Sequence, residues 1–180
     1  VAEEVGKNIR LLEMFGMPGL RNLNEFFKIY KSKQFQTISL ISKLNESKKI
    51  SYCPITLGIN FLDQINLINE LKEIKFTNVA YPLLFLPFAS RASEVIGKRI
   101  LLKIDRVDFL LNFNQSINSN FLNNKVVNVG EEINLIFCEN ENTFNNQEWE
   151  EIYKLSEDTF VEENENQKSK AAGAGLTDND

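Results

Sequence analysis

The chain has 180 residues and a formal charge of −5, with 43% hydrophobic and 25% charged residues. That is one domain of ordinary size and globular composition, which excludes wholesale disorder, collagen-like repeats and coiled coils, and no apolar run reaches the length of a membrane-spanning helix. Histidine is absent, and with it go Ser-His-Asp and Cys-His catalysis, HExxH zinc sites and every imidazole ligand.

Apolar residues at Val5, Ile9, Leu12 and Phe15 have helical spacing, and Gly16 and Pro18 stop that helix. A second helix is predicted from Leu20 to Tyr30 through Leu23, Phe26 and Phe27, so the two form a helical hairpin across Gly-Met-Pro-Gly. The stretch 36–44 reads as either a short helix or a strand. Pro54 argues against a strand interior after Ile50-Ser51-Tyr52-Cys53. Asn60, with Asp63 three residues on, is predicted to cap a helix running to Ile74. The apolar run 83–88, interrupted by Pro82 and Pro87, reads as an edge strand or a buried extended segment. Ser90 then caps a short helix to Ile96, closed by Gly97.

Four β-rich runs follow, at 99–104, 107–111, 126–129 and 133–138, with turn residues at 118–124 and Gly130. They predict an antiparallel meander. A last helix starts at Asn145, has Glu148 at its third position, and carries Trp149, Ile152, Tyr153 and Ser156 on one face. The expected fold is α+β: an N-terminal helical hairpin and helix packed on a mostly antiparallel sheet, then a C-terminal helix and an extended tail. The expected organisation is one domain over 1–158 and a tail over 159–180, docked on the domain or on a neighbouring subunit.

Charge is unevenly laid out. Residues 1–50 hold nine Lys/Arg against five Asp/Glu, whereas residues 139–180 hold three against twelve. An acidic end repels phosphate, so nucleic acid is not an expected partner. Cys53 and Cys138 are too few for a disulfide framework or a cysteine zinc site and read as free thiols in a reducing cytoplasm, with a Cys53–Cys138 bridge as the alternative. No P-loop or GxGxxG is present; Gly173 and Gly175 form a GxG with neither strand nor helix around it.

Four stretches of the chain resemble a bacterial domain-of-unknown-function family of roughly 200 residues, an ordinary domain size. They are Val1-Ala2-Glu3-Glu4-Val5-Gly6 to Met17-Pro18-Gly19-Leu20, Cys53-Pro54, the run Ala80-Tyr81-Pro82 to Phe88, and Gly173-Ala174-Gly175-Leu176-Thr177-Asp178-Asn179-Asp180. The resemblance implies one more helix before Val1, which agrees with the missing Met. In that family a His often precedes the first proline of the third stretch; Tyr81 stands there in this chain, so a role resting on that His would be lost. The resemblance implies no activity.

Candidate chemistry is sparse. Ser90, Arg91 and Ser93, between an apolar run and a helix start, form a candidate anion site, with a cap and a surface arginine as the plain alternative. A serine nucleophile there would need Lys98, Lys103 or a carboxylate as base. Cys53 has no His to pair with, and depressing its pKa would need Lys48, Lys49 or a helix N-terminus. Leu176, Thr177, Asp178, Asn179 and Asp180 are candidates for tail docking, the last three also as hard oxygen ligands. Phe26-Phe27 and the run 83–88 read as core, with a small-molecule pocket as the alternative.

No metal and no cofactor are expected. The sequence therefore points to a binding or accessory protein that self-associates, with a dimer favoured. The rival is a His-independent enzyme on a small anionic metabolite, with Arg91 holding the anion and Asp105, Asp178 or Asp180 as acid, base or Mg²⁺ ligand.

Overall fold

The computed structural model describes residues 2–121, 126–139 and 143–157. It divides into two units, Val1–Asn140 and Glu141–Asp180.

The first unit opens with the helical hairpin, α1 at Ala2–Met14 and α2 at Gly19–Tyr30. Gly16, at φ 71°, takes the left-handed conformation that ends α1. Pro18 precedes α2 and supplies no side-chain cap; instead Glu13 Oε1 accepts from the Leu20 N–H at 2.8 Å. The stretch 36–44 is neither a regular helix nor a regular strand apart from single bridges: Gln36 pairs with Tyr52, and β1 is only Leu44–Asn45.

Helix α3 spans Pro54–Ile68, six residues earlier at its start than Asn60. Proline fits the first turn of a helix because its missing N–H would be unpaired there anyway, and it pushes Cys53 into the extended conformation of an N-cap. Asn60 is not a cap; its amide donates to Ile38 O at 2.7 Å from mid-helix. The predicted continuation to Ile74 also fails. A 3₁₀ turn at Asn69–Leu71 and Lys72 at φ 56° end the helix, and Ile74 belongs to β2, Glu73–Ala80.

The run 83–88 is helical rather than extended. A 3₁₀ turn at Pro82–Leu84 leads into α4, Leu86–Val95, so both prolines begin helical turns. Ser90 is thus mid-helix and fully buried, not a cap, while Gly97 closes the segment at φ 62°.

Strands β3 (Ile100–Ile104), β4 (Val107–Asn112), β5 (Ser116–Ser119) and β6 (Val129–Phe137) complete the sheet. Its order is β1-β2-β6-β3-β4-β5, all antiparallel except the short β1–β2 pair. The meander holds for β3-β4-β5, but β6 inserts between β2 and β3. Only Val129 of the predicted strand 126–129 is in the sheet, and Gly130 lies within β6 rather than in a turn. β5 falls partly in the expected turn 118–124 because its Ser-Ile-Asn-Ser sequence has no apolar alternation.

One face of the sheet is apolar. Ile74 and Phe76, Ile100, Leu102 and Ile104, Phe109 and Leu111, and Ile133, Leu135 and Phe137 are buried at period two. Phe85 sits among them, with ring centroids 5.5 Å from Phe61 of α3 and 6.0 Å from Phe76 of β2. The first unit is therefore α+β, with its helices gathered against one face of a mostly antiparallel sheet.

In the second unit α5 spans Asn146–Glu157. Its start is a reciprocal capping box: Asn145 Oδ1 accepts from the Glu148 N–H at 2.9 Å and Glu148 Oε2 from the Asn145 N–H at 2.8 Å. None of its side chains is buried. A short helix without packing depends on its cap, so Asn145→Ala is expected to cost about 1 kcal/mol of helix stability. Far-ultraviolet circular dichroism of a peptide spanning 143–157 checks this: helix signal falls in the variant if the box matters and is unchanged if it does not.

Candidate functional site

The helical hairpin has more apolar surface than the core uses. α2 buries Gly19, Asn22 and Phe26, yet a second stripe, Leu20, Leu23, Phe27 and Tyr30, runs along its other side. The rings of Phe27 and Tyr30 are 52% and 51% exposed and Leu20 is 64% exposed. α1 faces this stripe with Ala2, Val5, Gly6 and Ile9, and the start of α3 closes one wall with Ile55. Together they form an open groove of about 860 Å³. Its charged lining residues are Arg10 and Glu13. Glu13 is already engaged in capping α2, and among the described residues Arg10 has no ion-pair partner. An apolar trough edged by one cation, Arg10, and one anion, Glu13, suits the apolar face of an amphipathic helix.

The floor of the groove is held by an aromatic cluster. Phe26 packs at 6.0 Å from Tyr81 and 5.5 Å from Phe35, and Phe35 stacks at 6.0 Å on Tyr30. Tyr81 takes φ 42°, a left-handed conformation uncommon outside glycine. Burial is the first cause that raises its phenol pKa, and Glu25 adds to it. Cys53, buried, also borders the groove; Cys53 and Cys138 are both free thiols.

Residues 1–52 match the model of a family described as a protein of unknown function (DUF3726). The matched segment carries α1 and α2, which form most of the groove, and ends at the residue before Cys53, the α3 N-cap. It takes in the first of the four stretches behind the family resemblance, and the other three lie beyond it. No curated protein and no solved structure matches the chain.

The candidate anion residues have other engagements. Arg91 is paired with Glu4 through Nη1, donates from Nη2 to Asn8 Oδ1 at 2.7 Å, and lies 5.6 Å over the Phe88 ring. Ser90 donates to Asn114 Oδ1 at 3.1 Å, and Ser93 donates to Ser90 O at 2.7 Å; both are fully buried. Arg91 thus ties α1 to α4. Asp105 lies apart from this set in the β3–β4 turn, where Oδ1 accepts from the Glu132 N–H at 2.9 Å. Among the described residues no group of three or more Cys, Asp or Glu is placed to hold a metal. Leu176, Thr177, Asp178, Asn179 and Asp180, and the tail 159–180 as a whole, lie outside the described residues.

The Arg91 hydrogen bond is the first cause that holds the Glu4 carboxyl below the usual carboxylate range, with Lys7 adding to it. The folded chain therefore binds a proton at Glu4 less readily than the unfolded chain does. Its contribution is complete above the unfolded value and disappears as pH falls through the folded one. Glu4→Gln is expected to lower Tm modestly at neutral pH, and the gap to the parent should close in acid. Melting curves across the acid range check this; a gap that is constant with pH would give Glu4 a purely steric role.

Proposed function

We propose that this is a binding or accessory protein that self-associates, in a reducing cytoplasmic setting, by seating α5 of a second copy in the groove between α1 and α2. The observation that carries the reading is the exposed apolar stripe of α2 opening into an 860 Å³ trough beside Arg10. The occupant follows from what α5 offers. Trp149, Ile152 and Tyr153 are exposed and share one face, and the rest of the helix holds four glutamates against one lysine. Twelve residues make about 18 Å of helix, which matches α1 and α2 at 1.5 Å per residue. The cation excess over residues 1–50 comes from 31–50, because Lys7, Arg10, Arg21 and Lys28 are balanced by Glu3, Glu4, Glu13 and Glu25; its sign is complementary to that of 139–180, which speeds encounter. Two copies exchanging α5 form a closed twofold assembly in which each groove is filled.

Sedimentation of the full chain over a range of concentrations tests the reading. A dimer that weakens as salt rises supports it, and a monomer at every concentration contradicts it.

A further inference from the structure

Beyond self-association, the first unit holds a second concavity, of about 630 Å³, where four segments distant in sequence converge. They are the end of α2 with residues 32–35, the segment 49–51, the end of β2 at Tyr81, and Asn128 with Val129 at the start of β6. Its size is that of a small-molecule site. Lys33 and Lys49 both line it, and no carboxylate does. Among the described residues neither ammonium has an ion-pair or hydrogen-bond partner.

The two lysines are carried on turns pinned from several sides. Ser51 donates to Asn78 Oδ1 at 2.6 Å, Asn78 Nδ2 donates to Ser47 O at 3.3 Å, and the Tyr52 N–H donates to Asn78 O at 2.9 Å. This holds the segment around Lys49 against β2. Lys33 is held by its own N–H to Ile29 O at 3.0 Å, and the Gln36 N–H binds Ser51 O at 2.9 Å, tying the two lysine-bearing segments together. Asn78 and Tyr81 both take positive φ, 58° and 42°, on the wall strand or at its end. Left-handed non-glycine residues cost energy and persist where their surroundings hold them, so the walls at Asn78 and Tyr81 are set by packing before any ligand arrives.

We propose that this pocket binds a small phosphate monoester with a flat apolar body. Two lysines without an arginine act as point charges, which suits a phosphate better than the bidentate geometry a carboxylate favours. The Ser32 and Ser51 hydroxyls are donated to Ile29 O and Asn78 Oδ1, so the charge recognition falls to the two lysines, while Phe35, Ile29 and Ile50 provide an apolar wall for the organic part. Because the turns are already fixed, little ordering opposes binding.

Phenyl phosphate is the probe, titrated calorimetrically into the full chain at low salt. It is expected to bind more tightly than inorganic phosphate, which lacks the ring, and more tightly than benzoate, which lacks the dianion. Lys33→Ala and Lys49→Ala should each weaken it about tenfold, the scale of one charge-assisted hydrogen bond. Both lysines are exposed, so the unliganded melting temperature should not move. Phe27→Asp, in the groove, should leave the affinity unchanged. The proposal is overturned if phenyl phosphate fails to bind at millimolar concentration, if the double lysine variant binds it as well as the parent does, or if Phe27→Asp abolishes binding and so assigns the probe to the groove.

Discussion

Gly58→Ala is expected to destabilise the first unit by about 2 kcal/mol, or about 6 °C in Tm for a domain of this size. Gly58 is buried in α3 where α4 crosses it. A Cβ there would stand 2.2 Å from Cδ2 and 2.4 Å from Cγ of Phe88, far inside contact distance. The Phe88 ring is 2% exposed and has the Arg91 guanidinium above it, so it has nowhere to retreat without disturbing the Arg91–Glu4 tie. Alanine gains about 1 kcal/mol over glycine in helix propensity, which offsets part of an overpacking cost of about 3 kcal/mol. Phe88→Leu in the same chain should recover much of the loss, because the shorter side chain vacates the ring volume. Denaturant unfolding of the two single variants and the double variant checks this. Additive losses would mean that the two positions do not meet.

Local punctuation explains which elements were legible in the sequence. α1, α2 and α5 announce themselves by apolar spacing and, for α5, by the Asn145–Glu148 box, and β3 and β4 as β-rich runs bounded by turn residues. The errors cluster where one residue type has two uses. Pro82 and Pro87 suggest an extended segment in the sequence, yet each sits at the start of a helical turn; Pro54 argues against a strand there, and it opens α3. The break between α3 and β2 carries no glycine or proline; Lys72 makes it in a left-handed conformation that its sequence does not signal. β6 joins the sheet between β2 and β3, a choice made by tertiary pairing and invisible to any window of residues.

The groove was half legible. Leu23, Phe26, Phe27 and Tyr30 are apolar in the sequence, but they read there as one core face. Their separation depends on where α1 lies, since Asn8, Ile9 and Leu12 are the residues α1 buries, beside the buried Phe26. The stripe Leu20, Leu23, Phe27 and Tyr30, spaced three or four apart and offset from Phe26, was the available signal. The lysine pocket carried none, because Lys33, Lys49 and Tyr81 come from segments that meet only in three dimensions.

Phe27→Asp is expected to leave the fold intact and convert the assembly to a monomer. Phe27 is more than half exposed, so the aspartate remains solvated in the free chain, and the core ring of this pair, Phe26, is untouched. In the filled groove the same carboxylate would be buried against the apolar face of α5 and beside its glutamates. An unpaired buried charge of that kind is strongly disfavoured, enough to weaken association by about a hundredfold or more. Trp149→Asp, on the opposite partner surface, should have the same effect for the mirror reason. Unchanged circular dichroism with halved mass in light scattering is the expected pair of results. A variant that keeps the parental mass would show that α2's outer stripe lies outside the interface.

The central claim is that groove and helix meet in trans, and mixing the two variants tests it most directly. Phe27→Asp alone has a damaged groove and an intact α5; Trp149→Asp alone has the reverse. Neither homodimer retains a working contact, but a mixed dimer retains one. Light scattering of an equimolar mixture should show a mass above that of either variant measured separately at the same total concentration. A mixture whose mass stays at that of the separate monomers would contradict the exchange of α5 into the α1–α2 groove.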